Sequence, residues 1–429
     1  MNNREKGYYF TLTVFGLLMM YYTLCFWIDI AKHNFCGTTS VDFCAYWSTG
    51  QLLNDHGIAS IYDLNLLREY QSPINPRPFV NNPFFALIPF PYLPIFALPF
   101  SLFANIKLEY SYILWATINY LCLLFYLRFF VRETTGKNIE LNVMLAFAVS
   151  IPVFFNLQFG QLNVWLGIFA GEFYRHWTKG RHVTGGLWLS GLLLKPQTLI
   201  LIVPYLLIKR EFKALAGFAI GSSLIGGISA LLLGQQGILE MATLLSGSSS
   251  GKLASAPLRM MNWRMFALHI DNFLGTDLSF PLILIGSSTT LFILWYILHK
   301  DNGNSSEQTL FSIFAVFIAT MLVTWHAHIS QIITALPLFA ALVTQSRISK
   351  KALNIWFYLP VAANILILAI LTIPSFTKQP PFLPNIHKFI GGFVFFALNY
   401  YLLWHGAKNK AAKPISEPVI TGQATGSGV

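Results

Sequence analysis

Residues 8–30 read YYFTLTVFGLLMMYYTLCFWIDI, a run of 23 positions in which Asp29 is the only charged residue. A helix of that length crosses a hydrocarbon layer of about 30 Å. Arg4 and Lys6 precede it like the charged start of a signal peptide, but the run is too long and lacks a small-residue cleavage site. An uncleaved first span is therefore expected. Working outward, comparable apolar stretches fall at 84–104, 109–131, 140–157, 161–177, 183–208, 214–234, 280–299, 308–325, 327–345, 352–373 and 388–405. The pattern predicts an all-α integral membrane protein, a multi-spanning helical bundle of about 12 transmembrane helices. Composition agrees. The 429 residues are 55% hydrophobic and 10% charged, less than half the roughly 25% charge of a soluble domain. With 38 Phe and 11 Trp the chain is neither disordered nor of low complexity. The alternation of an outer-membrane barrel is absent.

The net charge is +11, from 28 Lys and Arg against 17 Asp and Glu. No basic, aromatic-interleaved soluble segment is long enough to bind nucleic acid, so the excess reads as the Lys/Arg bias of cytoplasmic loops. Arg4 and Lys6, the Lys209–Lys213 cluster, the Arg347–Lys351 cluster, and Lys408, Lys410 and Lys413 share one side if twelve spans alternate. Arg128–Lys137 and Arg175–Arg181 disagree. A re-entrant 84–104, which holds Pro89, Pro91, Pro94 and Pro99, with a hairpin at Lys195-Pro196, would repair this; plain alternation is the preferred expectation. Residues 1–405 then form one polytopic domain with two long outer loops, 33–83 and 235–279, and 406–429 form a disordered cytoplasmic tail.

Five places could carry chemistry. Asp42, in Asp42-Phe43-Cys44-Ala45-Tyr46-Trp47, is a carboxylate placed for general-base work at the membrane boundary, and equally placed to cap an amphipathic helix over 43–54. In Asn156-Leu157-Gln158-Phe159-Gly160-Gln161-Leu162-Asn163, four amides suit sugar hydroxyls or simply close a turn. Lys195 lies midway along an apolar stretch, where a charge is costly and points to function. Arg264 follows Asn262-Trp263, and a guanidinium suits phosphate oxygens. Trp325-His326-Ala327-His328 offers one histidine to a cavity; on a helix the two imidazoles would point about 200° apart, which disfavours a metal pair. The cysteines are Cys25, Cys36, Cys44 and Cys122, with no zinc-like spacing, and a Cys36–Cys44 disulfide is open.

Taken in order, Asp42-Phe43-x-x-Tyr46-Trp47 with Ile61-Tyr62-Asp63, Pro91-Tyr92-x-Pro94, Gly160-Gln161-x-Asn163, Leu194-Lys195-Pro196-Gln197 and Trp325-His326 with Leu336-Pro337 resemble the polytopic GT-C glycosyltransferases of family 87, a group similar to polyprenyl-phosphate-mannose-dependent mannosyltransferases. The resemblance spans about residues 40–345. It implies transfer of a hexose, mannose first, from a polyprenyl-phosphate donor to an envelope glycolipid or glycan with inversion, in a bacterial plasma membrane with the site facing out. It also implies Asp42 as base, with Lys195, Arg264, His326, Tyr46, Gln161, Asn163 and Asp63 around the substrates, and needs neither metal nor other cofactor. The alternative from another class is a flippase of lipid-linked sugars.

Overall fold

The structure, a computed structural model, describes residues 3–31, 36, 41–74, 87–249, 257–300, 306–372 and 386–408. Among these, every regular element is a helix, with one isolated bridge between Met260 and His328. Six helices are long and apolar enough to cross a membrane: Thr11–Ile28, Leu108–Thr135, Phe212–Ser246, Ser279–Lys300, Lys350–Leu371 and Ile386–Lys408. The pair Leu141–Ala148 and Ile151–Phe159, bent by 43°, would make a seventh. These are the helices of a multi-pass membrane protein.

Several expected spans are not single helices. In 84–104, residues 87–93 are non-helical, Pro94–Phe96 is a 3-10 turn and Leu98–Phe103 a short helix. Proline supplies no N–H and restricts the residue before it, and four prolines within eleven positions prevent a continuous ladder. Likewise 183–208 breaks into His182–Ser190, the 3-10 turns Gly191–Leu194 and Pro196–Leu199, and Ile202–Ile208. The segment 327–345 divides into Ile329–Ala335 and Leu336–Thr344.

The expected loops are in turn largely helical. The first contains Val41–His56, Ile58–Tyr62 and Leu64–Gln71. In the second, helix Phe212–Ser249 continues past a kink at Gly234, and Trp263–Leu274 follows. The expected tail lies outside the described residues from 409 onward.

Ion pairs settle the conflict in the charge pattern. Lys179 meets Glu133 at 2.8 Å, Lys350 meets Glu140 at 2.6 Å, and His182 Nδ1 lies 3.0 Å from Glu211. These contacts gather the 128–137, 175–182, 209–213 and 347–351 stretches at one end of the bundle, where plain alternation had divided them. Exposed pairs of this kind contribute little energy, but they fix which ends are together. Because residues 182 and 211 meet, the stretch between them runs out and returns. Lys195 is therefore at the tip of a hairpin, and the preferred reading of 183–208 as one span is corrected.

Helix Val41–His56 is covered on nearly every side, with Phe43 through Gly50 and Leu52 buried, so the expected amphipathic helix is a core helix. The broken 87–106 segment wraps it. A Cβ on Gly50 would stand 2.2 Å from the Phe100 carbonyl oxygen, and Trp47 donates its indole N–H to the Ile106 carbonyl at 3.0 Å. Gln71 ties the same segment by exchanging bonds with the Ile88 backbone at 2.7 and 2.9 Å. Cys36 and Cys44 form a disulfide with a Cα–Cα distance of 5.8 Å, within the usual range.

The hairpin packs on helix Phe212–Ser249 through backbone contact at Gly186, where a Cβ would stand 1.9 Å from the Ala214 carbonyl oxygen and 2.6 Å from the Phe218 nitrogen. Gly186→Ala is expected to destabilise by about 1–3 kcal/mol, the usual cost of overpacking. Gly226→Ala, with nothing within 4 Å, should be neutral or slightly stabilising. Thermal unfolding in detergent compares the two, and equal melting temperatures would contradict this packing.

Candidate active site

Lys195 owes its position to Pro196. The residue before proline is pushed out of the helical region, and Lys195 sits at φ −138°, ψ 84° between two 3-10 turns. Thr198 closes the break, its hydroxyl and N–H both bonding the Lys195 carbonyl, at 2.7 and 2.9 Å. The side chain is buried, and a buried ammonium is costly unless its donors are satisfied. It donates to Gln161 Oε1 at 2.6 Å and to Asn163 Oδ1 at 2.9 Å. An ammonium has three donors, so one remains beyond these two.

Gln161 and Asn163 come from the turn between Ile151–Phe159 and Asn163–Thr178. Gly160 caps the first helix at φ 70°, and the Gln161 N–H bonds back to the Asn156 carbonyl at 2.8 Å, a glycine-capped ending. Two aromatic donors pin the turn from outside: Trp115 Nε1 to the Gly160 carbonyl at 3.0 Å, and Tyr112 hydroxyl to the Leu157 carbonyl at 2.6 Å. A Cβ on Gly160 would stand 2.4 Å from that of Phe43. That close approach sets the turn beside the neighbour of Phe43, Asp42, whose carboxylate accepts from the Gln161 side-chain amide. Thus Asp42, Gln161 and Lys195 form one hydrogen-bonded chain, with the amide donating at one end and accepting at the other.

Burial pushes the Asp42 carboxyl up to about 6, the Lys195 ammonium and the Gln161 bond pulling it part of the way back. A carboxyl poised there can take a proton near neutral pH. One helical turn on, Tyr46 is buried, and its hydroxyl lies 3.1 Å from that of Tyr92, which is only half-buried. The Tyr62 hydroxyl holds the Tyr92 backbone carbonyl. Tyr92, part of the Pro91-Tyr92-x-Pro94 motif, keeps partial exposure where Tyr46 is buried, and no one-dimensional signal distinguishes the two.

Arg264 and His326 are brought together by a clamp between the 257–264 segment and the 324–328 turn. Met261 N–H bonds the Ala327 carbonyl at 3.0 Å, and Asn262 Nδ2 bonds the Thr324 carbonyl at 2.8 Å while its Oδ1 caps helix Trp263–Leu274. The Arg264 guanidinium then lies over the Trp325 ring, 3.7 Å from its centroid, a cation–π contact. His326 is held well below its ordinary value by burial first, then by the charges of His328, Lys195 and Arg264, so it belongs to the same neighbourhood as a neutral imidazole. The two histidine rings are 4.6 Å apart, edge to face. Asp63 is placed differently: it caps helix Leu64–Gln71, accepting from Asn65 and Leu66 N–H at 2.8 and 3.2 Å. Among the described residues no cluster of three His, Cys, Asp or Glu side chains could hold a metal ion.

A carboxyl and an ammonium bridged by an amide, at the end of the bundle away from its basic clusters, define a polar site in a multi-pass membrane protein. The chain belongs to glycosyltransferase family 87, whose family model matches residues 90–324, more than half of its length. No curated protein and no solved structure matches it. Membership makes the protein a membrane glycosyltransferase, with a sugar donor, an acceptor and membrane lipids as partners. The match takes in Gln161, Asn163, Lys195 and Arg264; Asp42, Tyr46 and His326 lie outside it.

A hydrophobic carbodiimide, which modifies protonated carboxyls, should label Asp42 below about pH 6 and lose it above. Lys195→Met removes a charge that favours ionisation, so the midpoint should rise. Mass-spectrometric mapping reads both, and a wild-type midpoint near the ordinary carboxylate value of about 4 would contradict the burial.

Proposed function

We propose that the protein transfers a hexose, mannose in the first instance, from a polyprenyl-phosphate-linked donor to a hydroxyl of an envelope glycolipid or glycan, with inversion, in a GT-C-type bundle. The observation that carries this reading is the Asp42–Gln161–Lys195 chain. Such a transfer needs a base where the acceptor arrives and positive charge where the phosphate leaves, and the chain supplies both at the two ends of one amide.

The acceptor oxygen attacks the anomeric carbon from the face opposite the phosphate. As that C–O bond forms, the hydroxyl proton passes to Asp42. The bond from the anomeric carbon to the phosphate oxygen breaks, and its electron pair leaves with polyprenyl phosphate. Lys195 directs its remaining N–H at the leaving oxygen, with Arg264 and neutral His326 as further donors to the phosphate. Asn163 and Gln161 form the wall nearest the sugar. Tyr46 acts through Tyr92, and Asp63 supports the wall by fixing helix Leu64–Gln71. This scheme draws on no metal ion or other cofactor.

Asp42→Asn keeps the outline of the side chain but cannot accept the proton. Turnover is expected to fall by about 10³, within the usual contribution of a general base and equal to roughly 4 kcal/mol of barrier. Asp55→Asn and Asp63→Asn should cost far less. Lys195→Met should weaken donor use, with Lys195→Arg partly active because the charge survives. Release of polyprenyl phosphate from a panel of polyprenyl-phosphate sugars, in membranes that supply the acceptor, is the measurement. An Asp42→Asn enzyme with full turnover would remove the base assignment.

The positive-inside bias orients the end carrying Lys179, Arg210 and Lys350 to the cytoplasm of a bacterial plasma membrane, leaving Asp42 on the outer side. Single cysteines at 55 and 270 should then be labelled by an impermeant reagent in intact cells, and one at 410 should not. Labelling at 410 would invert the topology.

A further inference from the structure

We propose that the Cys36–Cys44 disulfide is a positioning device for the transfer reaction, fixing the first turn of the Asp42 helix so that the carboxylate stays seated against Gln161. The inference rests on the glycosyltransferase reading with Asp42 as base.

Asp42 is the second residue of its helix, and the first turn of any helix has N–H groups without intrahelical partners. The base therefore stands where a helix is most prone to fray. Two restraints act there besides the Gln161 bond. Phe43 lies in an aromatic cage with Phe100, Phe103, Tyr112 and Trp115. Cys44, two residues after Asp42, is bonded to Cys36, and the covalent ring of the disulfide encloses Asp42. Both cysteines are buried, at 3% and 4% exposure, so the bond is part of the packed interior.

The first helix is the other anchor on this side. Its contacts with the bundle include Phe15 on Phe357, the Tyr22 ring on Phe154, the Tyr22 hydroxyl on the Val149 carbonyl, and Phe26 on both Tyr112 and Phe154. Beyond Phe26, both Trp27 and Ile28 are exposed. Among the described residues between Ile28 and Asp42, Cys36 ties the chain covalently to the Asp42 helix. Cys25 and Cys122 are not disulfide-bonded, so pairing is selective for the two cysteines that bracket Asp42. A disulfide of this kind forms in an oxidising compartment, which agrees with an outer-facing site.

The test compares wild type, the Cys36→Ser/Cys44→Ser double variant and a Cys25→Ala/Cys122→Ala control, reconstituted with polyprenyl-phosphate mannose and membrane lipid extract. The double variant should lose kcat by about 10²-fold, the scale of a reacting group displaced by about 1 Å. Its donor KM should be unchanged, since Lys195, Gln161 and Asn163 remain in place. The control should match wild type. A purely structural bond would lower melting temperature and yield without this split. The carbodiimide midpoint of Asp42, faced by Lys195, Tyr46 and Tyr92, should also fall toward an ordinary carboxylate as water enters, a readout independent of turnover. Unchanged kcat and midpoint in a folded double variant would overturn the inference, as would two alkylatable thiols at 36 and 44 in intact, active wild type if the variant does not accumulate. A wild type inert with every polyprenyl-phosphate sugar would instead reject the functional reading, while the midpoint still tests the positioning.

Discussion

A single buried ammonium governs the arrangement of this site. An unpaired cation in an apolar bundle is too costly to persist, so whatever meets Lys195 must be held rigidly. Its two acceptors are neutral amides from one turn, Gln161 and Asn163. Neutral acceptors satisfy the geometry without cancelling the charge, which stays available to an anion. Gln161 uses its other end on Asp42, so the orientation of one amide couples a cation to a carboxylate. Each anchor nearby serves this coupling: the left-handed Gly160, the Trp115 and Tyr112 donors to the turn, and the Phe43–Gly160 contact.

Proline and glycine decide how such a polar centre is reached inside a membrane protein. Non-helical backbone at membrane depth is tolerated only beside protein or a wet cavity. Here the proline-interrupted 87–106 segment spends its irregular stretch against the Asp42 helix, held by Trp47 and Gln71. The Lys195-Pro196 hairpin tip spends its own against the Gln161 turn. Small residues bring the backbones close: Gly50 at Phe100, Gly167 at Ile333 and Gly186 at Ala214. The opposite end carries a different kind of polar chemistry, with buried Glu172 bonded by Arg175 and Tyr126. Glu172 lies nine residues after Asn163 on helix Asn163–Thr178, about 14 Å along the axis at 1.5 Å per residue.

The family match begins at residue 90 and ends at 324, yet the site is not confined to those limits. The helix carrying Asp42 precedes the match, and His326 follows it. The matched core supplies the turn, the ammonium and Arg264, while the flanking segments supply the carboxyl and the imidazole. The flanks are secured by specific local bonds, such as those of Asn262 to Thr324 and Met261 to Ala327.

Composition and run length determined the class, because a chain with 10% charge has no means of covering a water-facing surface. Residue chemistry nominated Asp42, Gln161, Asn163 and Lys195 one at a time, since acids, amides and a lone cation are conspicuous in apolar sequence. Only the tertiary structure could decide that four of these meet, because their neighbours are 32 to 119 residues apart and no periodicity records such a contact. The same holds for the hairpin: hydropathy gives 183–208 as one run, and it is the His182–Glu211 contact across the fold that shows the chain turning back. The difference in burial between Tyr46 and Tyr92 likewise depends on what the rest of the chain places around a ring rather than on the ring itself.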